Sequence, residues 1–235
     1  MRLVSDAARS LAEWLAAAGT RARVLPAEPH RAQRVAAALG VSDRAMLYAV
    51  ATQLGAVMVD DGWVRVLGGG VDGHRADLAS WNGLGDSPVL TRTADVFCVA
   101  FDVLGGLFAM DGGTEPGAMN YFAPDALRWE PLEIPYSAWL RWLLTEPDGL
   151  AGFYGSLRWT GWQEEARALA LDEAIHTYPP PWTREGKDLA RVSRRAVPAR
   201  EVVEIAFEAA RELDGREVPG SRGGTGQRRS ITRPR

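Results

Sequence analysis

Apolar positions recur every three to four residues near the start of the chain, at alternate positions through its middle, and at helical spacing again toward its end. The first block predicts three helices. Ser5 can N-cap one running through Ala18, with Gly19 as its stop and Ala8, Leu11, Trp14, Leu15 and Ala18 as its apolar face. Arg21 to Leu25 reads as a short strand closed by Pro26. Arg31 to Leu39 is a second helix ended by Gly40. Ser42 caps a third, with Met46, Leu47, Val50 and Leu54 as its buried stripe.

From Ala56 the period changes to two. Ala56–Asp60 and Trp63–Leu67 flank Asp61-Gly62, a strong hairpin signal. In the second strand Trp63, Arg65 and Leu67 share one face and Val64 and Val66 the other. Gly68-Gly69-Gly70 is expected to be a flexible loop, because no Lys-Ser or Lys-Thr follows as a phosphate loop requires. Residues 72–92 read as a polar loop carrying Leu78, Trp81 and Asn82. Val96–Val103 is the strongest strand signal in the chain, and its length and apolarity predict a central position. Leu107–Asp111, Ala118–Phe122 and Leu127–Glu130 extend it into a meander. A helix over Ala138–Thr145 follows.

The last third reads as helical and broken by prolines, with helices at Phe153–Trp159 and Gln163–Leu171. Thr177-Tyr178-Pro179-Pro180-Pro181-Trp182 reads as a rigid extended spacer. Pro198 opens a final helix faced by Val202, Val203, Ala206, Phe207, Ala210 and Leu213 and ended by Gly215. The expected fold class is α+β. It is a single domain over residues 1–215, with a central twisted antiparallel sheet at about 56–130 and helical flanks.

Charge changes this picture at the C-terminus. The net charge is −3, but residues 216–235 hold six arginines against Glu217 and carry +5, leaving −8 on residues 1–215. So basic and apolar-poor a segment is expected to be a disordered tail. Nucleic acid is an expected partner only through that tail, and the acidic body suits a basic protein partner. No run of about 18 apolar residues predicts a membrane span. The beginning of the chain does not read as a secretory signal, and a cytoplasmic location is expected. Only Lys187 among the cations is lysine, and there are nine tryptophans.

Candidate chemistry is sparse. His30, His74 and His176 lie in separate segments, and Cys98 sits inside the strongest strand, where a free thiol serves as a core group. No catalytic, metal or cofactor site is assigned from these residues. Asp102 and Asp111 end successive strands. They read either as turn residues or as an acid/base pair facing each other across the hairpin. Trp63 with Arg65 can stack, and Trp159 and Trp162 with Arg158 repeat that pairing. Trp14, Trp129, Trp139 and Trp142 read as structural. Trp63, Arg65, Trp81, Asn82 and Asp111 form the candidate binding set, taking a protein partner at a sheet face or loop rim. Alternatives are a carboxylate enzyme at Asp102 and Asp111, and a Trp-lined site for a sugar or small ligand.

The succession Gly62-Trp63-Val64-Arg65-Val66-Leu67-Gly68, Ser80-Trp81-Asn82 and Val99-Ala100-Phe101-Asp102-Val103-Leu104-Gly105-Gly106-Leu107-Phe108-Ala109 resembles a bacterial family of unknown function numbered 2625. The likeness continues through Asp111-Gly112-Gly113, Tyr121-Phe122-Ala123-Pro124-Asp125, Leu127-Arg128-Trp129-Glu130 and Tyr136-Ser137-Ala138-Trp139-Leu140-Arg141-Trp142. It covers most of residues 40–185 and carries over no catalytic residues. A looser similarity is to the SUKH superfamily, which includes toxin-neutralising immunity proteins and Smi-type regulators. That likeness implies a twisted antiparallel sheet against helices and a non-enzymatic interaction role. The chain departs from it in lacking the Leu-Pro-x-x-Tyr entry and in its extension from about Gly149 to Asp214.

Overall fold

Seven strands lie side by side in the order in which the chain makes them. The computed structural model describes residues 5–84, 96–113 and 115–214. The strands are β1 (Ala22–Leu25), β2 (Ala56–Val59), β3 (Val64–Leu67), β4 (Val96–Asp102), β5 (Leu107–Asp111), β6 (Ala118–Ala123) and β7 (Arg128–Pro135), each antiparallel to the next. The apolar run at Val96 therefore occupies the middle strand, as its composition predicts. The expected α+β class holds. The stop at Gly215, the tail and the part of the polar loop from residue 85 onward lie outside the described residues.

Three helices precede and accompany the first hairpin. In α1 (Asp6–Ala18) Ser5 Oγ accepts the Ala8 N–H at 3.2 Å, and Gly19 closes the helix. In α2 (Pro29–Leu39) Glu28 caps instead, accepting the His30 and Arg31 N–H groups at 3.0 and 2.6 Å, so the helix starts two residues earlier than expected. Those bonds favour the ionised carboxylate, and the Glu28 pKa is lowered, chiefly by them. Ser42 does not cap α3 (Met46–Gln53), which begins four residues later; Ser42 shapes the preceding turn by accepting the Arg44 N–H.

Cross-strand register sorts the sheet into two faces. One face carries Arg23, Met58, Arg65, Phe101, Leu107, Phe122 and Trp129 in a single row. The other carries Val66, Ala100, Phe108, Tyr121 and Glu130. Against Phe108 and Tyr121 pack Trp139 of α4 (Tyr136–Thr145) and Phe153 of α5 (Pro147–Tyr154), with ring centroids 5.0 to 5.9 Å apart. On the opposite face Phe207 of α7 (Ala199–Asp214) meets Phe122 at 4.8 Å, and Trp81 stacks on Phe101 at 4.3 Å. Both faces are covered.

The second cover corrects the expectation for the last third of the chain. The C-terminal third is not wholly helical. β8 (Glu173–Tyr178) and β9 (Ser193–Pro198) form an antiparallel ribbon that packs with α7, and the Ile175 N–H donates to Val103 O at 2.6 Å. Part of the expected extended spacer is thus strand β8. The helix expected at Phe153–Trp159 lies earlier, as α5, and α6 spans Trp162–Ala168.

Gly68-Gly69-Gly70 is buried, which corrects the flexible-loop expectation. Gly69 donates to Leu54 O at 2.8 Å and Gly70 to Gly55 O at 3.0 Å, while Gly70 O accepts from Glu28. A Cβ on Gly69 would lie 2.2 Å from Ala51 O and 2.7 Å from Ala32 Cβ. The glycines let β3 run directly beneath α2 and α3.

Candidate functional site

The segment that follows the glycines is pinned by one carboxylate. Asp77 Oδ1 accepts the Ala79 and Ser80 N–H groups, both at 2.9 Å, and Oδ2 accepts Ser80 Oγ–H at 2.8 Å and an Arg31 guanidinium N–H. Arg31 also donates to Val71 O and His74 O, at 2.9 and 2.7 Å. This chain of bonds turns residues 76–82 inward. Trp81 lands flat on Phe101, only 2% exposed, with its indole N–H donating to Arg75 O at 3.0 Å. Asn82 is also buried. Its amide receives the Cys98 N–H at 2.6 Å and donates to Cys98 O and Leu78 O at 2.8 Å. It serves β4 as a neighbouring strand would, beside the register shift between Cys98 and Ala100.

Trp63 and Arg65 are equally inaccessible, each 0% exposed. Trp63 lies in the hairpin turn among Tyr154, Trp159 and Trp162, with centroids 5.0 to 5.7 Å away. The cation over its ring is Arg158, at 5.1 Å, and not Arg65. Arg158 also lies 4.1 Å over Trp162 and is ion-paired to Asp60. Arg65 lies 6.0 Å from the Phe101 centroid and donates to Gly62 O, while its Nε and Nη2 have no partner. Burial pulls its pKa down to about 10, against the opposing charges of Asp102 and Glu173.

The expected binding set is therefore corrected in place. Trp63, Arg65, Trp81 and Asn82 belong to the core, because a layer from the C-terminal third closes the sheet face they were expected to expose. A sugar or small-ligand site on Trp63 and Trp81 has no surface to work from. Asp111 is half-buried at the end of β5, where Oδ1 accepts the Gly113 N–H at 2.7 Å and Oδ2 the Glu115 N–H at 2.9 Å. It organises the β5–β6 turn.

Asp102 and Asp111 are not a pair. Asp111 stands opposite Val96, six residues along β4 from Asp102, or roughly 20 Å at strand rise. Asp102 is fully buried on the face opposite Arg65, opposite Val64. It accepts four bonds: Leu104 N–H and Gly106 N–H at 2.9 Å, Tyr121 O–H at 2.6 Å and Tyr154 O–H at 3.0 Å. Burial raises its pKa, and those four bonds work against the rise. The network joins β4, β6, α5 and the β4–β5 turn.

Apart from Val24 on β1, the exposed large apolar groups among the described residues lie on the second cover. Tyr178, at the end of β8, is 69% exposed, and Ile205 of α7 is 39% exposed. Pro180, Pro181, Trp182 and Ile205 are among the residues lining one crevice of about 10 Å³, about the least that holds one water. The patch is thus packed rather than hollow. Glu201, Glu204 and Glu208 stand exposed on α7 beside Ile205, at helical spacing. The sequence held a signal for this patch, the Tyr-Pro-Pro-Pro-Trp run, which reads as a spacer when nothing shows what it packs on.

Residues 3–202 match the family model described as Protein of unknown function DUF2625. The chain belongs to that family. It is 31% identical over 198 residues to YbfG, an uncharacterised protein of Escherichia coli strain K12, covering 83% of this chain and 88% of that one. It is 25% identical over 202 residues to an uncharacterised protein of Haemophilus influenzae, covering 85% and 84%. No solved structure matches it. The family span stops inside α7 and takes in the whole seven-stranded sheet and the β8–β9 ribbon. No helix among the described residues is long and apolar enough to cross a membrane.

Proposed function

We propose that this DUF2625 protein is a non-enzymatic protein-interaction module that acts in the cytoplasm and holds a basic partner. The observation that carries the reading is the exposure of Tyr178 on β8 and Ile205 on α7, two elements packed together in one cover, with the glutamates of α7 beside Ile205. Exposed aromatic and aliphatic anchors beside a charged rim are how protein interfaces gain affinity and choose partners. The −8 charge of residues 1–215 supports a positively charged partner. An immunity role of the SUKH kind is the finer form of the proposal. Its support is the antiparallel sheet packed against helices, and the positive surface that a toxin acting on nucleic acid needs.

The test compares wild type with a Tyr178→Ala/Ile205→Asp variant as immobilised bait. Both side chains are exposed, so circular dichroism should show an unchanged fold. Retained proteins are identified at about 0.05 and 0.5 M salt, where the Debye length shrinks about threefold. The expected result is a protein of net positive charge that wild type retains at low salt, that the variant loses, and that high salt weakens. The identified partner should then bind the purified chain directly. Retention that ignores the variant, or a partner that is acidic, overturns the reading.

A further inference from the structure

A second feature lies at the other end of the sheet and reverses the charge of the body. A cleft of about 290 Å³ is lined by Thr20, Arg21, Arg23, Met58, Asp61, Gly62 and Arg167. Three arginines meet one aspartate there, on a body that carries −8. Arginine is this chain's ordinary cation, so its identity says nothing; its convergence from two distant segments, Arg21 with Arg23 on one and Arg167 on the other, does.

Each arginine is held in place by a contact of its own. Arg21 ends the short turn after α1; its carbonyl accepts the Asp60 N–H at 2.8 Å, and its Nη2 donates to Leu144 O at 2.6 Å. Its Nη1 has no partner. Arg23 lies on the edge strand β1 directly opposite Met58, and its Nη2 donates to Met58 Sδ at 2.8 Å. Arg167, in the last turn of α6, is tied through Nε to Asp61 Oδ1 at 2.9 Å. Asp60, Asp61 and Gly62 all have positive φ, at 54°, 57° and 82°, which folds the turn tightly against α6. Behind Gly62 stands Arg65, fully buried, bonded to the Gly62 carbonyl and with two nitrogens unpartnered. Arg23 and Arg65 repel, which adds to the lowering of the Arg65 pKa.

We infer that this cleft binds a phosphate-bearing small molecule, with Arg21, Arg23 and Arg167 as its ligands and Thr20 as a further hydroxyl donor. The lining carries two more positive than negative charges, and a phosphomonoester carries close to two negative ones at neutral pH. Guanidinium N–H groups match phosphate oxygens in pairs. Beside a buried cation lacking partners, a bound dianion also offsets charge that Asp61 alone leaves over. The volume lies at the lower limit of small-molecule sites, enough for a phosphate with a short organic group.

Titration calorimetry at constant ionic strength tests this, with inorganic phosphate, glycerol 3-phosphate and malonate as probes. One saturable site is expected for a phosphate species, with a Kd below about 1 mM. Arg23→Gln/Arg167→Gln, both exposed side chains, should weaken it at least about tenfold while leaving the circular dichroism unchanged. Arg9→Gln, remote from the cleft, should leave it as it was. Tighter binding of glycerol 3-phosphate assigns the rest of the cleft to the ester's organic part, and tighter inorganic phosphate assigns the free ion. Saturation absent up to about 10 mM, binding indifferent to the double variant, or malonate binding equally well overturns the inference.

Discussion

Removing the Asp102 carboxylate should damage the fold far more than removing its charge. In Asp102→Ala two backbone N–H groups and two tyrosine hydroxyls lose their acceptor at once. A Cβ on Gly106 would stand 2.3 Å from both Asp102 Oδ2 and Tyr121 Oη, so the carboxylate is packed against bare backbone. An unsatisfied buried polar group costs about 1–3 kcal/mol, and four at the lower figure come to about 4 kcal/mol. Asp102→Asn keeps an acceptor for the Leu104 and Gly106 N–H groups and turns an amide N–H toward the tyrosine oxygens. It should cost less than about 1.5 kcal/mol. Urea unfolding followed by tryptophan emission reads both, because Trp63 packs on Tyr154, a member of the network. The two variants also separate by pH. The Asp102 pKa is raised in the folded state above the ordinary aspartate value of 3.8, so the folded chain binds the proton more tightly than the unfolded one. Wild-type stability relative to Asp102→Asn should therefore rise as pH falls through the folded pKa toward 3.8, and be lost again as pH rises. Alanine costing under about 1 kcal/mol, asparagine costing as much as alanine, or a pH slope of the opposite sign would refute this account.

The same core makes two further expectations. Gly69→Ala puts a methyl 2.2 Å from Ala51 O, a backbone atom that cannot give way cheaply, and should cost about 3 kcal/mol or prevent folding; a urea midpoint within error of wild type would contradict the packing. Burial pushes the Cys98 thiol up to about 12, so a disulfide reagent at neutral pH should modify it only as fast as the chain unfolds, and prompt stoichiometric reaction of native protein would show the strand to be open.

Much of the fold was legible because each signal was local. Ser5 and Gly19 bound α1 through their own backbone geometry, and Asp61-Gly62 marked the hairpin through its need for positive φ. The central strand declared itself through uninterrupted apolar residues, since a strand buried on both faces has no polar alternation. What was not legible depended on distant partners. The glycine run reads as a loop until Ala51 and Ala32 are seen lying across it. The β8–β9 ribbon escaped because its strands hold Arg194, Arg195 and His176 and carry little periodicity. Glu165 secures it by joining Arg194 to the Trp159 indole.

The misplacement of the candidate site has one physical origin. Trp63-Val64-Arg65-Val66-Leu67 alternates between apolar and amphipathic residues, and in a two-layer domain the amphipathic face meets solvent. Here a third layer, supplied by residues about a hundred positions later, covers that face. Glu173 of β8 acts on Arg65, Val202 of α7 sits 2.7 Å from where a Gly105 Cβ would be, and Phe207 closes over Phe122. The residues that read as a recognition surface became its foundation, and the exposed Tyr178 and Ile205 lie on the outside of the layer that buries them. Recognition and stability are thus joined through β8 and α7. Substitutions at the exposed tips should change binding alone, whereas those at Val202 or Phe207 should change both.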